Sequence, residues 1–407
     1  MAATLTFQYS VRDRNGKIVS GKLEAESPAA VAAKLKGMGY APVSISQANS
    51  GMQKELSIPG MGKRVKLKDL AVMSRQFAVM INSGLSLLRA LTILSEQSEN
   101  KELARVLGEV RGDVEAGNAL STSMAKHPAV FPPLMVNMTR AGEVGGFLDQ
   151  TLLEIASNYE SEVKLRGKVK AAMTYPVVVF VMAILMCVGM LIFIVPVFAG
   201  MFTDLGGELP APTRVLVMLS HAMKFLAPLG LLAAIVFFFT WPKVKNLDGV
   251  RNVLDPLKLK MPVFGNLFQK IALSRFTRNL GTMLRAGVPI LQALEIVADT
   301  SGNVVIARAV RDVQESVRKG EPLTQPLSQH AVFPAMVVQM MAVGEDTGAL
   351  DTMLAKISAF YDQEVESTTE SLTALIEPLM IAVLGGTVGS MIIALYMPIF
   401  KVFDLIE

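Results

Sequence analysis

Three apolar runs limit this chain more than any other feature. They span 173–200 (MTYPVVVFVMAILMCVGMLIFIVPVFAG), 214–241 (RVLVMLSHAMKFLAPLGLLAAIVFFFTW) and 376–400 (IEPLMIAVLGGTVGSMIIALYMPIF). About 20 apolar residues in a helix cross a bilayer, and in lipid only helices and closed barrels satisfy their own backbone groups. The runs are therefore predicted to be three transmembrane helices. The second contains His221 and Lys224, which places its membrane core nearer 225–241. The chain is 51% hydrophobic yet 18% charged, so domains exposed to water must accompany the spans. At 407 residues more than one unit is expected.

The basic residues set the predicted orientation. Lys164, Arg166, Lys168 and Lys170 precede the first span, and Lys243, Lys245 and Arg251 follow the second. The connection between them, MFTDLGGELPAPT, carries Asp204 and Glu208 but no Lys or Arg. Positive-inside bias then puts 1–172 and 242–375 in the cytoplasm, with 201–213 and the C-terminus outside. The N-terminus MAATLTFQYSVRDRNG has no basic segment leading into an apolar core, so no cleavable signal peptide is predicted. A net charge of +4 does not point to nucleic acid.

The second constraint is a duplication. GEVGGFLDQTLLEIASNYESEV (142–163) returns as GEDTGALDTMLAKISAFYDQEV (344–365), and MINSGLSLLRALTI (80–93) as MLRAGVPILQALEI (283–296). Gly84 pairs with Gly287, Gly117 with Gly320, Tyr159 with Tyr361 and Glu162 with Glu364, and the match continues through Pro176 and Pro378. The duplicated unit is a domain plus its following span. The second span has no counterpart; without this extra crossing the second copy would face the opposite side of the membrane. Apolar residues at three- and four-residue spacing predict helices, with breaks at Gly84 and Gly287. The expected domains are 67–172 and 270–375, the repeat. Residues 1–48 alternate in polarity around an Asn15-Gly16 turn and predict a small ββαβ module, with 49–66 as linker.

In the repeated passage, Gly142, Gly146, Gly344 and Gly348 suit a tight turn. Asp149 and Asp351 fall at a helix N-terminus, where a carboxylate can cap free N–H groups and oppose the helix dipole. Glu143 and Glu345 show no capping role at this level and are the more open candidates for a partner. Together with Glu377, at the start of the third span, these eight residues are the candidate partner interface. Acids near a membrane are functional candidates by default, although Glu377 can reach water and its counterpart is Tyr175. Gly385, Gly386 and Gly389 form a small-residue face suited to helix packing.

Catalytic motifs are absent. GKIVSGK (16–22) matches the core of a phosphate loop, but Leu23 stands where Ser or Thr would hold magnesium, and the predicted strand offers no helix N-terminus. There is no HExxH, G-x-S-x-G or CxxC. The single cysteine, Cys187, and the dispersed His127, His221 and His330 give no ligand set. No cofactor, metal or catalytic residue is expected. A small transporter, the less favoured alternative, would need polar or ionisable groups near the middle of its spans, and these spans lack them.

The duplicated domain, the three spans, the AGEVG…G-x-L-D…Y…E and VGEDTG…LD…Y…E passages and the EPLMI…MPIF ending resemble the type IV pilus assembly platform family. That family is related to the inner-membrane platform protein of type II secretion. The resemblance covers nearly the whole chain. It implies a mainly α fold: two homologous cytoplasmic bundles of about six helices each, three transmembrane helices and the N-terminal module. It also implies a non-enzymatic homo-oligomer in the bacterial inner membrane. Its implied partners are a hexameric secretion ATPase, pilin or pseudopilin subunits, other inner-membrane assembly proteins and lipid. Pilus assembly and type II secretion both stay open at this level. Some secretion relatives hold calcium with a Gln, a Glu and an Asp; the matching positions are Gln97, Glu154 and Asn158. Asn158 lacks the charge a hard cation favours, so no metal is expected.

Overall fold

The computed structural model describes residues 5–12, 18–25, 28–37, 41–47, 64–204, 209–244, 247–262 and 264–403. The chain divides into two compact units, residues 1–64 and 65–407.

In the first unit, β1 (Leu5–Arg12) and β2 (Ile18–Ala25) pair antiparallel from Leu5 opposite Ala25 to Arg12 opposite Ile18. Helix α1 (Pro28–Gly37) follows, and β3 (Ala41–Gln47) returns antiparallel to β1, giving the sheet order β2-β1-β3. Val31 and Leu35 of α1 are fully buried against Leu23 and Ala25. The Asn15-Gly16 turn and most of the 49–66 linker lie outside the described residues. Lys22, the end of the phosphate-loop look-alike, lies within β2, so no helix opens there to receive a phosphate.

The second unit is helical. The first copy comprises α2 (Leu67–Asn82), α3 (Leu87–Gln97), α4 (Lys101–Glu115), α5 (Leu120–Ala125), α6 (Pro133–Gly145) and the start of α7 (Leu148–Gly189). A π-helical turn, Met190–Ile194, leads into α8 (Val195–Asp204), and α9 (Ala211–Val244) is the second apolar helix. After α10 (Asp248–Lys260), the second copy repeats the order with α11 (Phe264–Arg285), α12 (Ile290–Thr300), α13 (Val304–Arg318), α14 (Thr324–Ser328), α15 (Ala335–Thr347) and α16 (Leu350–Phe403). Each copy thus has six helices, the last shared with its span.

Local chemistry explains the breaks. Gly84 and Gly287 take positive φ (82° and 70°) between the first two helices of each copy, a conformation that costs a side chain about 1 kcal/mol. The Asn100 side chain accepts from the Glu102 and Leu103 amides at 3.1 and 3.2 Å, capping α4, and Asn303 accepts from Val305 at 2.8 Å to cap α13. Helix α10, which a boundary at residue 270 leaves out, packs against α11 and α13. Its buried Asp255 accepts from the Val304 amide at 3.2 Å.

One apolar core runs through both copies. It includes Phe77, Phe131, Met138 and Ile155 in the first and Phe276, Leu280, Met283 and Ile357 in the second. Three helical stretches, Leu148–Phe202, Ala211–Trp241 and Leu350–Pro398, are long and apolar enough to cross a membrane. The last helix of each bundle enters its span without a break. Helix α16 has 54 residues, about 80 Å at 1.5 Å per residue.

Candidate functional site

The repeated passage forms a corner between the fifth and sixth helices of each copy. Helix α6 ends at Gly146, whose φ of 76° turns the chain, and the Phe147 amide donates back to the Gly142 carbonyl at 3.0 Å. In the second copy Gly348 has φ 69° and the Ala349 amide donates to Gly344 at 2.9 Å. Both are left-handed glycine C-caps. Gly142 and Gly344 are buried because the incoming helix crosses directly over them. A Cβ on Gly142 would lie 2.6 Å from Thr151 Oγ1, and one on Gly344 2.9 Å from the Leu350 Cα.

Glu143 and Glu345 do have a capping role, contrary to the expectation from sequence. The helix each one caps lies some twenty residues upstream. Glu143 Oε1 accepts from the Leu120 amide at 2.5 Å and Oε2 from the Ser121 amide at 2.9 Å. Glu345 accepts from the Leu323 amide at 2.7 Å, the Thr324 amide at 3.4 Å and Thr324 Oγ1 at 3.3 Å. The N-cap residues of the short helices α5 and α14, Ala119 and Leu323, offer no side-chain cap, so a carboxylate from the next long helix satisfies their free N–H groups. The expected capping by Asp149 is not made: α7 starts after Phe147 with no side-chain cap bond. The two aspartates lie in the first turns of α7 and α16, where only their charge favours the dipole. Next to Glu143, Val144 is 86% exposed.

A polar seam joins the two copies. Asn158, buried on α7, donates to Asn279 Oδ1 at 3.2 Å and Thr282 Oγ1 at 3.3 Å on α11. Glu162 meets Arg275 at 2.7 Å and Arg278 at 3.5 Å, and Glu154 pairs with Arg285 at 2.9 Å. Arg278 is 8% exposed and also pairs with Asp362 of α16. Burial holds the Arg275 guanidinium below its ordinary pKa, against the raising effect of Glu162. On the flank, Gln292 donates to Asn137 at 3.3 Å, and the Phe147 ring lies 3.3 Å from where a Gly287 side chain would begin. Buried charges persist only when paired in this way, and removal of one partner is costly. The sequence did carry a signal for this seam: Arg275, Arg278, Thr282 and Arg285 recur at three- and four-residue spacing on one face of α11.

The residues of the calcium resemblance fall into two places. Glu154 and Asn158 line the polar cleft of about 170 Å³ between α7, α11 and α16, where Arg285 meets Glu154. Gln97 lines a separate cleft beside Asp69 and Asn100. Among the described residues no group of three or more His, Cys, Asp and Glu could hold a metal. In the apolar helices, Glu377 is exposed on α16 and lines a small crevice with Tyr175 and Pro176 of α7. The glycines 385, 386 and 389 face open space. Thr213, at the start of α9, donates its hydroxyl to the Ala394 carbonyl at 2.5 Å. That carbonyl lies four residues before Pro398, which has no N–H to give it.

The comparisons with known proteins agree with this architecture. The family described as "Type II secretion system (T2SS), protein F" matches twice, over residues 73–196 and 276–398, and its N-terminal domain matches 1–46. The Type IV pilus assembly protein PilC of Thermus thermophilus is 45% identical over 98% of this chain and 99% of its own. PilC of Myxococcus xanthus is 43% identical over 100% and 97%. The Type II secretion system protein F of Vibrio cholerae is 31% identical over 98% and 99%. Duplicated bundles, three apolar helices and full-length identity meet in one assignment: the chain belongs to the type II secretion system protein F family, as a pilus or secretion platform protein.

Proposed function

We propose that this chain is the inner-membrane platform of a type IV pilus assembly machine, a scaffold and not an enzyme. The observation that carries the reading is the identity gradient over nearly the whole chain: 45% and 43% to type IV pilus assembly proteins, against 31% to a type II secretion protein F. In this reading the N-terminus and both bundles lie in the cytoplasm and the C-terminus lies outside, as the basic residues around the spans favour. Copies of the chain associate, and the bundles engage a hexameric secretion ATPase. The domain boundaries are those of the repeat, with α10 added to the second bundle.

The mechanism follows from the unbroken helices. Displacement of a bundle moves α7 and α16, and with them their spans, against pilin subunits in the membrane. The exposed surface beside the Gly142–Asp149 and Gly344–Asp351 corners is the proposed partner face, with Gly142, Gly146, Gly344 and Gly348 setting its shape and Glu143 and Glu345 fixing the short helices behind it. Glu377 is proposed as an interfacial contact for lipid or another assembly protein. The test is mild-detergent purification of the full chain from its own cells after crosslinking, with mass spectrometry of what accompanies it. A secretion ATPase with pilins supports the reading. Pseudopilins in their place assign the chain to type II secretion, and neither partner overturns it.

A further inference from the structure

The contact between the two copies is one-sided. Around the polar seam the first copy offers α6 and α7 to α11 and α12 of the second, and farther along α7 also packs on α16. The equivalent faces remain exposed: α2 and α3 around Val79 and Arg89 in the first copy, and α15 and α16 around Gln339 and Phe360 in the second. Such a head-to-tail contact is heterologous, so it can continue from one chain to the next.

Aligning the copies shows what changed. Receiving positions Arg278, Asn279, Thr282 and Gln292 of the second copy correspond to Arg75, Gln76, Val79 and Arg89 of the first, at an offset of 203. Thr282 is 2% exposed, whereas Val79 is 51% exposed and Val72, about two helical turns away, 48%. Arg278 pairs with Asp362 under the cover of α7; its counterpart Arg75 makes the same pair with Glu160 in the open. On the offering side, Asn158 is 5% exposed, and its counterpart Phe360 is 42% exposed.

Polarity switches in step on the two faces. The contact of Asn158 with Thr282 and Asn279 maps onto Phe360 with Val79 and Gln76, so an exposed aromatic ring meets an exposed valine. The polar pair Asn137–Gln292 maps onto the polar pair Gln339–Arg89, both exposed. The ion pair Glu154–Arg285 maps onto Lys356 and Asn82, with no like-charge clash. The ion pairs of Glu162 with Arg275 and Arg278 map onto Glu364 with Val72 and Arg75, which keeps the charge pair to Arg75 and loses the other.

We propose that a second copy of this chain occupies the α2–α3 face, docking its own α15–α16 face there, with Phe360 against Val79 and Gln76, Glu364 beside Arg75 and Val72, and Gln339 beside Arg89. The seam inside one chain is the template for the seam between chains, which closes into a ring or a two-copy exchange. This rests on the reading that the chain self-associates, and it is independent of which machine the chain serves.

The test uses the full-length chain in its own membranes, with Cys187→Ser as background. Two differently tagged copies are expressed together, one with Val79→Cys and the other with Phe360→Cys, and oxidised mildly. A disulfide needs the two Cβ atoms about 3.5–4.5 Å apart. The expected result is a doubly tagged dimer at least several-fold above the Val79→Cys or Phe360→Cys self-pairs. Self-pairs in excess would put like faces against each other and overturn the proposal, as would no dimer at all. In a second measurement, Phe360→Glu lowers the particle mass in detergent and leaves the unfolding midpoint unchanged; an unchanged mass counts against the interface. A missing crosslink with ATPase and pilins still recovered removes only this interface, whereas a crosslink without those partners removes only the machine assignment.

Discussion

Replacing Glu143 by alanine tests the capping argument directly. The carboxylate bonds two successive amides, Leu120 and Ser121, at 2.5 and 2.9 Å, at the start of a helix with only six residues. A hydrogen bond to a charged group contributes about 1.5–3 kcal/mol when desolvated, and loss of a helix N-cap costs about 0.5–2 kcal/mol. The site is half-buried, so water can reach one freed amide, and the local cost should be about 2 kcal/mol. At 1.4 kcal/mol per decade that is about 30-fold in local opening. Hydrogen exchange of the full-length protein in detergent, followed by mass spectrometry, reads this at residues 120–125. Glu143→Gln keeps one acceptor oxygen and should give a smaller acceleration. Glu345→Ala should accelerate 323–328 less than Glu143→Ala accelerates 120–125, because its second amide bond is 3.4 Å long. Unchanged protection at 120–125 in Glu143→Ala would refute the reasoning. The result also governs how functional mutants are read. Charge reversal at Glu143 and Glu345 removes two caps at once, so a loss of pili in that variant speaks of folding. A partner contact is better probed at Val144, which is 86% exposed.

Three further substitutions separate the remaining roles. Gly142→Ala should destabilise the first bundle by about 1–3 kcal/mol, since its Cβ meets Thr151 at 2.6 Å; a thermal melt as stable as the parent would show that α7 can shift aside. Thr213→Val keeps shape but leaves the Ala394 carbonyl without the hydroxyl that reaches it at 2.5 Å, so unfolding in detergent should lose about 1 kcal/mol, and no loss would mean the bond is replaceable. Tyr159 is buried, with its pKa raised by desolvation, and its hydroxyl has no hydrogen-bond partner among the described residues. Tyr159→Phe should therefore hold or raise the melting temperature, and a drop of several degrees would reveal a hidden partner.

The helices and spans were legible because they are written in periodicity and length. Gly84 and Gly287, the apolar spacing around them and the uniform runs at 173–200 and 376–400 each act through nearby residues. What was not legible acts across the fold. Glu143 looked free because its partners, the Leu120 and Ser121 amides, are distant in sequence and belong to the backbone. Asp149 looked like a cap because it begins a helix, but the chain enters that helix through Phe147 with the aspartate in the first turn. The seam between the copies could have been suspected from the repeat alone: Val79 against Thr282 and Asn158 against Phe360 are changes of polarity at matched core-helix positions. Which copy would bury them depends on how the bundles pack.

The same asymmetry appears in the membrane helices, where both copies keep a proline near the end of the span, Pro196 and Pro398. A proline inside a helix removes one N–H and leaves a carbonyl unpaired four residues earlier, which is costly where no water is at hand. The copies do not meet this constraint alike. In the first, Pro196 follows directly on a π-helical turn, in which the Val195 amide reaches back to Met190; such widened turns accommodate irregularity within a helix. In the second, α16 carries its α geometry through, and the Ala394 carbonyl receives the Thr213 hydroxyl from α9. Helix α9 is the one span without a counterpart in the duplication. Beyond reversing the direction of the chain, it therefore braces the third span at a position where α16 cannot satisfy itself, and Leu191, Val195, Met391 and Leu395 close around that junction with Leu216 and Val217 of α9. A span introduced by topology has become part of the packing, which explains why Thr213 is buried although α9 is otherwise mostly exposed along its length.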